Sequence, residues 1–274
     1  MDIRNCTFDN EAELQQLVDL QNIVYKHRGL VFTKDVFDFW YIKNPEGTVI
    51  SYNAFDGDKM VAHQSFVPEQ MLVDGRVVKC LRSMAVVTHP DYRGKGLFSK
   101  LTNCAVEEAE RQGYEFIYAI TNENSYPVFI KHCGFSSITQ LEVKIGLGLN
   151  VREDGCKTYK RFWSAETLNW RLSHGKYMRV NNAIVGTYKF GVETFMGVVD
   201  EDAVGKCGIR AKSFDLGPKL YVGLGAKVPC TYVNMPKFVK HSPFHLIFKD
   251  LTGGKLPKMT ADNVFYQLID YDVA

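Results

Sequence analysis

The chain has 274 residues, 46% of them hydrophobic and 23% charged, with a formal net charge of +2. That length builds one large domain or two modest ones around a full core. The near-neutral balance excludes a strongly cationic surface, so nucleic acid is not an expected partner, while a local basic patch for a phosphorylated ligand stays open. The seven cysteines, at 6, 80, 104, 133, 156, 207 and 230, form no Cys-x-x-Cys pair. Neither a zinc knuckle nor a redox pair is supported, and no metal is expected. No stretch approaches the roughly 18 apolar residues of a membrane span, and the first residues lack a secretory run. A cytoplasmic protein is the expectation.

In chain order, Asn10-Glu11-Ala12-Glu13 reads as a helix start with a capping box. A second short helix begins at Thr33, with Val36, Phe37, Trp40 and Tyr41 on one face, and Asn44-Pro45 stops it. From Val49 to Val87 the pattern is β. Tyr52–Phe55, Met60–Phe66 and Glu69–Val73 read as strands, with hairpin signals at Asp56-Gly57 and Asp74-Gly75, and Arg76 to Val87 as a longer one. Gly94 to Gln112 is a helix with Phe98, Leu101, Ala105 and Ala109 on one face, Glu107 spaced to pair with Arg111, and Gly113 at its end. Phe116–Ile120 is a strand buried on both faces, Ser125–His132 a helix, and Ile138–Ile145 the last strand of this unit.

Gly146–Asn150 is the candidate boundary, giving units of 1–147 and 148–274. The second half carries a short helix after Ser164, several strands, and turn punctuation at Leu216–Gly225 and at Pro229, Pro236 and Pro243. Its mixed α/β character leaves open a diverged duplicate of the first half.

The chemistry concentrates in Arg93-Gly94-Lys95-Gly96, between a strand and an amphipathic helix. The first amides of a helix lack intrahelical partners and lie at the positive end of its dipole, so they form an anion site. Two glycines let backbone amides approach a pyrophosphate closely, and Arg93 and Lys95 add charge. A P-loop would need Gly-Lys-Ser/Thr in a longer loop, and a dinucleotide fingerprint a glycine at Ser99 after the first strand of a βαβ unit. The alternative to a ligand site is a basic turn that merely starts a helix.

The run Val86-Val87-Thr88-His89-Pro90-Asp91-Tyr92-Arg93-Gly94-Lys95-Gly96-Leu97-Phe98 resembles the acyl-CoA signature of the GNAT superfamily of N-acetyltransferases. The order of elements over residues 3 to 147 resembles that family too. The resemblance implies an α+β fold with a mixed, mostly antiparallel sheet flanked by helices. It also implies acetyl-CoA or a short acyl-CoA as co-substrate and a small-molecule acceptor. By that resemblance the backbone of Val86, Val87 and Thr88 would face the pantetheine arm. The amides of Arg93, Gly94, Lys95, Gly96, Leu97, Phe98 and Ser99 would hold the pyrophosphate, and Asn122 (or Asn124) with Ser125 would contact the cofactor arm. Phe98 stands where Gly or Ala is usual, so a slightly re-set helix start is expected. Ile130 stands where the family often has its acidic tyrosine, and Tyr126, one turn earlier, is the candidate acid.

His63, Glu69 and Arg82 are polar strand residues that could serve as a base near the acceptor, with ordinary sheet roles as the stronger alternative. Cys104 and Cys133 on apolar helix faces read as structural, and His89 as a loop residue. Ala165–Leu172 and Phe265–Asp272 resemble C-terminal extensions of GNAT proteins of bacterial surface-polysaccharide synthesis, which makes an amino sugar a candidate acceptor. On the alternative reading Trp170 is core and Asp270 and Asp272 are exposed. A protein or peptide acyltransferase and a non-catalytic acyl-CoA-binding or regulatory protein are the competing functions.

Overall fold

A strand of alternating or continuous apolar residues, closed by an Asp-Gly turn, occurs twice before residue 90, and a third strand follows; all three become part of one sheet. The computed structural model describes residues 1–187, 193–215, 217–236 and 243–271. These fall into two compact units: Met1–Glu69, Lys79–Ser137 and Ile247–Leu256 form the first, and Gln70–Val78, Ile138–Leu246 and Pro257–Ala274 the second. The chain passes between them after Glu69, Val78, Ser137, Leu246 and Leu256.

In the first unit β1 (Asp2–Asn5) leads to α1 (Glu11–Tyr25) and α2 (Lys34–Phe37), which continues as a wider turn to Ile42. Then come β2 (Ile50–Asp56), β3 (Lys59–Val73), β4 (Arg76–Thr88), α3 (Leu97–Arg111), β5 (Phe116–Thr121) and α4 (Tyr126–His132). Strands β1 to β5 lie side by side in sequence order, and the strand His245–Asp250 lies beyond β5. The pairs β1–β2 and β2–β3 are antiparallel, and β4–β5 is parallel. Every residue of β5 is buried, as a strand covered on both faces requires. Leu101, Ala105 and Ala109 of α3 pack against the sheet, joined by Ile117, Ala119 and Phe129. At about 25 cal/mol per Å² of apolar area, such residues supply most of the stabilisation.

Several expectations shift. Asn10 caps α1, but its side chain accepts from Ala12 N–H (2.9 Å), while the Glu13 amide bonds the Asn10 carbonyl (3.1 Å). Met60–Phe66 and Glu69–Val73 are one continuous strand, in which Pro68 is accommodated without a break. Arg111 pairs with Glu108 one turn back, not with Glu107, because i,i+3 neighbours also share a helix face. Ile138–Ile145 splits at Leu141 into β6 (Ser136–Gln140) and β7 (Glu142–Leu147). Gly146, expected in the linker, lies inside β7, where the Tyr232 ring leaves no room for a Cβ.

In the second unit β7 runs antiparallel to Pro218–Leu224 over six residue pairs. Tyr177–Val180, Ala183–Thr187 and Glu193–Val198 form an antiparallel meander. The last of these pairs in parallel with Pro218–Leu224 at Glu193↔Lys219 through Phe195↔Tyr221. The helix Ala165–Ser173 is capped by Ser164, whose hydroxyl accepts from Thr167 N–H. A five-residue helix, Glu201–Gly205, lies between the two parallel strands. The second half is therefore α+β with a parallel pair of its own, the pattern of a diverged relative of the first. Leu216 and Asp272 lie outside the described residues.

Candidate active site

The site starts from a divergence of strands. The parallel register between β4 and β5 runs Cys80↔Phe116, Leu81↔Ile117 and Arg82↔Tyr118 and ends there, although β4 continues to Thr88 and β5 to Thr121. Three residues beyond that last pair, Ala85 adopts φ +58°, a left-handed conformation rare for a residue with a Cβ. The carbonyls on either side are held: Met84 O accepts from Ser65 Oγ (2.7 Å) and Ala85 O from Gln21 Nε2 (2.8 Å). No residue type in β4 announces this kink, so sequence reasoning missed Ala85, Ser65 and Gln21. Val86 and Thr88, half-buried, and Val87, buried, lie on the diverging segment.

The loop that follows leaves backbone amides uncapped. Pro90–Tyr92 makes one tight turn, started by His89, whose Nδ1 accepts from Asp91 N–H (3.3 Å); His89 is thus a loop residue. Tyr92 Oη donates to Asp56 Oδ2 (2.6 Å), which raises the phenol's pKa, and the Lys95 ammonium lies 4.6 Å from the centre of the Tyr92 ring. Gly94 and Gly96 have φ +74° and +70°. A side chain at either would strain the backbone. Space around both is open: a Cβ on Gly94 would meet nothing within 4 Å. Gly96 is the N-cap of α3, and no side chain caps that helix, so the amides of Leu97, Phe98 and Ser99 point out of the first turn. Arg93 and Lys95 stand beside them. The helix begins regularly at Leu97, and the Phe98 ring turns inward onto Phe129 (centroids 5.0 Å apart), which leaves its amide on the loop side of the turn.

Residues 3–136 match the family model of the acetyltransferase (GNAT) domain. The chain carries an acetyltransferase (GNAT) domain. No curated protein matches the chain. Among solved structures, the GCN5-related N-acetyltransferase of Kribbella flavida is 13% identical with a TM-score of 0.54, over 92% of this chain and 72% of that one. The GCN5-related N-acetyltransferase of Anabaena variabilis is 9% identical with a TM-score of 0.56, over 92% and 74%. A conserved protein of Enterococcus faecalis is 11% identical with a TM-score of 0.56, over 91% and 72%. These likenesses reach past residue 136, so the fold of the C-terminal half is shared as well.

Within the acetyltransferase domain, Asn122 Oδ1 accepts from the amides of Asn124 (2.9 Å) and Ser125 (3.1 Å). The Asn122 carbonyl accepts from Tyr126 N–H (2.9 Å) and so leads the chain into α4. The oxygen of Asn122 is thus spent on a turn, and its Nδ2 makes none of these bonds. The half-buried Tyr126 ring packs with Ile130 against the core of Phe129 and Phe135.

The polar strand residues fall into two buried networks. His63 bonds Tyr41 Oη through Nε2 (2.9 Å) and Asn53 Oδ1 through Nδ1 (2.6 Å), and Tyr41 Oη bonds Ser65 Oγ (2.7 Å). Burial lowers the His63 pKa to about 3, so the imidazole is neutral. Arg82 Nε donates to Glu69 Oε1 (2.7 Å), Tyr118 Oη donates to Glu69 Oε2, and the guanidinium lies 4.8 Å from the Trp40 ring centre. Burial pushes the Cys133 thiol up to about 11 and raises that of Cys104, the reverse of what a nucleophile needs. Among the described residues no group of three or more His, Cys, Asp or Glu is placed to hold a metal. Nor is any of their helices long and apolar enough to cross a membrane.

In the second unit the corresponding places are filled differently. The helix after Glu193–Val198 starts with Asp200, whose carboxylate accepts from Ala203 N–H (3.0 Å), and Glu201 and Asp202 follow. Where its parallel strands diverge, the Gln267 side chain accepts from Val198 N–H (2.6 Å) and donates to Val198 O (3.0 Å). Asp270, exposed on the reading that makes Trp170 core and a candidate for acceptor binding on the other, is buried. It accepts from Gln267 N–H (2.8 Å) and Trp163 Nε1–H (3.2 Å), because the C-terminal turn folds into this core.

Proposed function

We propose that the chain transfers an acetyl or short acyl group from acyl-CoA to an amine of a small molecule, by direct attack with both substrates bound together. The observation that carries this reading is the uncapped α3 start behind two left-handed glycines, set directly after a strand that leaves its parallel partner. Arg93–Ser99 hold the pyrophosphate by backbone amides and two cations. The edge of Val86–Thr88 that has left β5 pairs with the pantetheine arm, helped by Asn122 Nδ2 and Ser125. A backbone N–H of this segment stabilises the charge that develops on the thioester oxygen. Placing amine and thioester in contact supplies much of the rest. Tyr126, at the start of α4, is the residue proposed to protonate the departing thiolate.

The neutral, buried His63 and the Glu69–Arg82 pair are committed to core partners, which leaves the acceptor amine to be deprotonated by another group or by water. The likeness of 165–172 and 265–272 to extensions of polysaccharide-synthesis enzymes supports an amino sugar as acceptor, in the cytoplasm.

The test is calorimetric titration with CoA, followed by acetyl-CoA turnover, read as free thiol, on a panel of amines, amino sugars and peptides. Thiol release with an amino sugar supports the reading in full. Binding without turnover on any acceptor supports a non-catalytic acyl-CoA-binding protein instead, and no binding ends both.

A further inference from the structure

We propose that Gln21 of α1, seconded by Ser65 of β3, is a positioning residue that aims the Val86 N–H at the acyl carbonyl. The inference rests on the acyl-transfer reading above and adds to it the residue that orients the strand amide. A peptide group is planar and trans, so the direction of one carbonyl fixes the direction of the next residue's N–H, which points the opposite way. Gln21 Nε2 holds Ala85 O at 2.8 Å, and thereby sets the Val86 N–H on the side of β4 away from α1. Ser65 Oγ holds Met84 O at 2.7 Å and sets the Ala85 N–H in the same manner. Between the two clamped carbonyls lies the left-handed Ala85, the point at which β4 changes direction after its last pairing with β5 at Arg82.

A left-handed alanine costs of order 1 kcal/mol and persists only where its surroundings over-determine it. Here they do so from two separate elements. Gln21 is also fully buried, and its Oε1 meets no hydrogen-bond partner among the described residues. A buried amide retained at the cost of one unsatisfied oxygen is kept for its donor. An apolar residue of the same length would pack there without that penalty. Ser65 is itself held by Tyr41, which in turn bonds His63, so the buried network of the sheet ends on the clamp.

Calorimetry with CoA and with acetyl-CoA separates this role from a structural one, because only acetyl-CoA carries the thioester carbonyl. Wild-type protein is expected to prefer acetyl-CoA by roughly fivefold, the worth of one hydrogen bond. Gln21→Met, which keeps the length and removes the donor, should bind CoA within about twofold of wild type and lose that preference. With an acceptor found in the panel, its kcat should fall roughly tenfold or more, beyond the roughly fivefold rise in KM for acetyl-CoA that the lost preference brings. Ser65→Ala is the second variant and should weaken the preference in the same direction, with Ser65→Thr restoring it. Absence of CoA binding by the wild-type chain overturns the acyl-transfer reading and this inference with it. Wild-type CoA binding together with an unchanged acetyl preference in both variants overturns the inference alone. Loss of CoA affinity in step with thermal stability makes the clamp a structural support only and likewise overturns it.

Discussion

Gly96 and Asp200 hold the same place in the two units: each caps the helix that follows the first strand of a parallel pair. Gly96 offers bare amides and no side chain. Asp200 answers the amide of Ala203 with its own carboxylate (3.0 Å) and is followed by two more acids. The same helix end is thus open to an anion in the first unit and closed to one by acidic side chains in the second. CoA should bind once per chain, which a calorimetric titration reads directly. Gly96→Asp should weaken that binding roughly tenfold or more, through charge repulsion and left-handed strain. A stoichiometry of two would contradict this contrast.

The Glu69–Arg82 pair is nearly inaccessible, at 4% and 1% side-chain exposure. Removing one charge leaves the other desolvated without this counter-ion, at a cost of about 3–5 kcal/mol. Glu69→Ala should therefore lower the urea midpoint strongly. Replacing both partners, as Glu69→Leu with Arg82→Met, should recover much of that loss.

His63 gives a pH signature. Its pKa is lowered by burial to about 3 in the folded chain, against an ordinary value near 6.5. Between those values the unfolded chain binds the extra proton, so stability rises with pH and is lost as pH falls from about 6.5 towards 3. The contribution amounts to a few kcal/mol at the acid end. Urea titrations at several pH values should show this slope in the wild type and a shallower one in His63→Gln.

If Tyr126 protonates the leaving thiolate, Tyr126→Phe should lower kcat by about a hundredfold. The affinity for CoA should stay near the wild-type value. An unchanged kcat would assign Tyr126 to packing against Phe129 and Phe135, and the thiolate would then leave without a dedicated acid.

Cys104→Ser and Cys133→Ala should retain turnover, since burial raises both thiols away from the reactive thiolate form. Loss of activity at unchanged stability would reopen a covalent route.

Local chemistry was legible in the sequence because it depends on neighbours in the chain. Only glycine adopts φ +74° and +70° freely, so Gly94 and Gly96 could be read as a turn, and the spacing of Leu101, Ala105 and Ala109 as a helix. Asn10, Ser164 and Gly113 marked helix ends for the same reason. What the tertiary structure decided is long-range. The kink at Ala85 is stabilised by Gln21, 64 residues away, and no residue type at 85 announces it. Asp270 is buried because Trp163, 107 residues earlier, reaches its carboxylate. Arg93-Gly94-Lys95-Gly96 thus determined that an anion could be held. Where β4 parts from β5, and which amides face the gap, followed only once distant side chains had claimed the carbonyls of Met84 and Ala85.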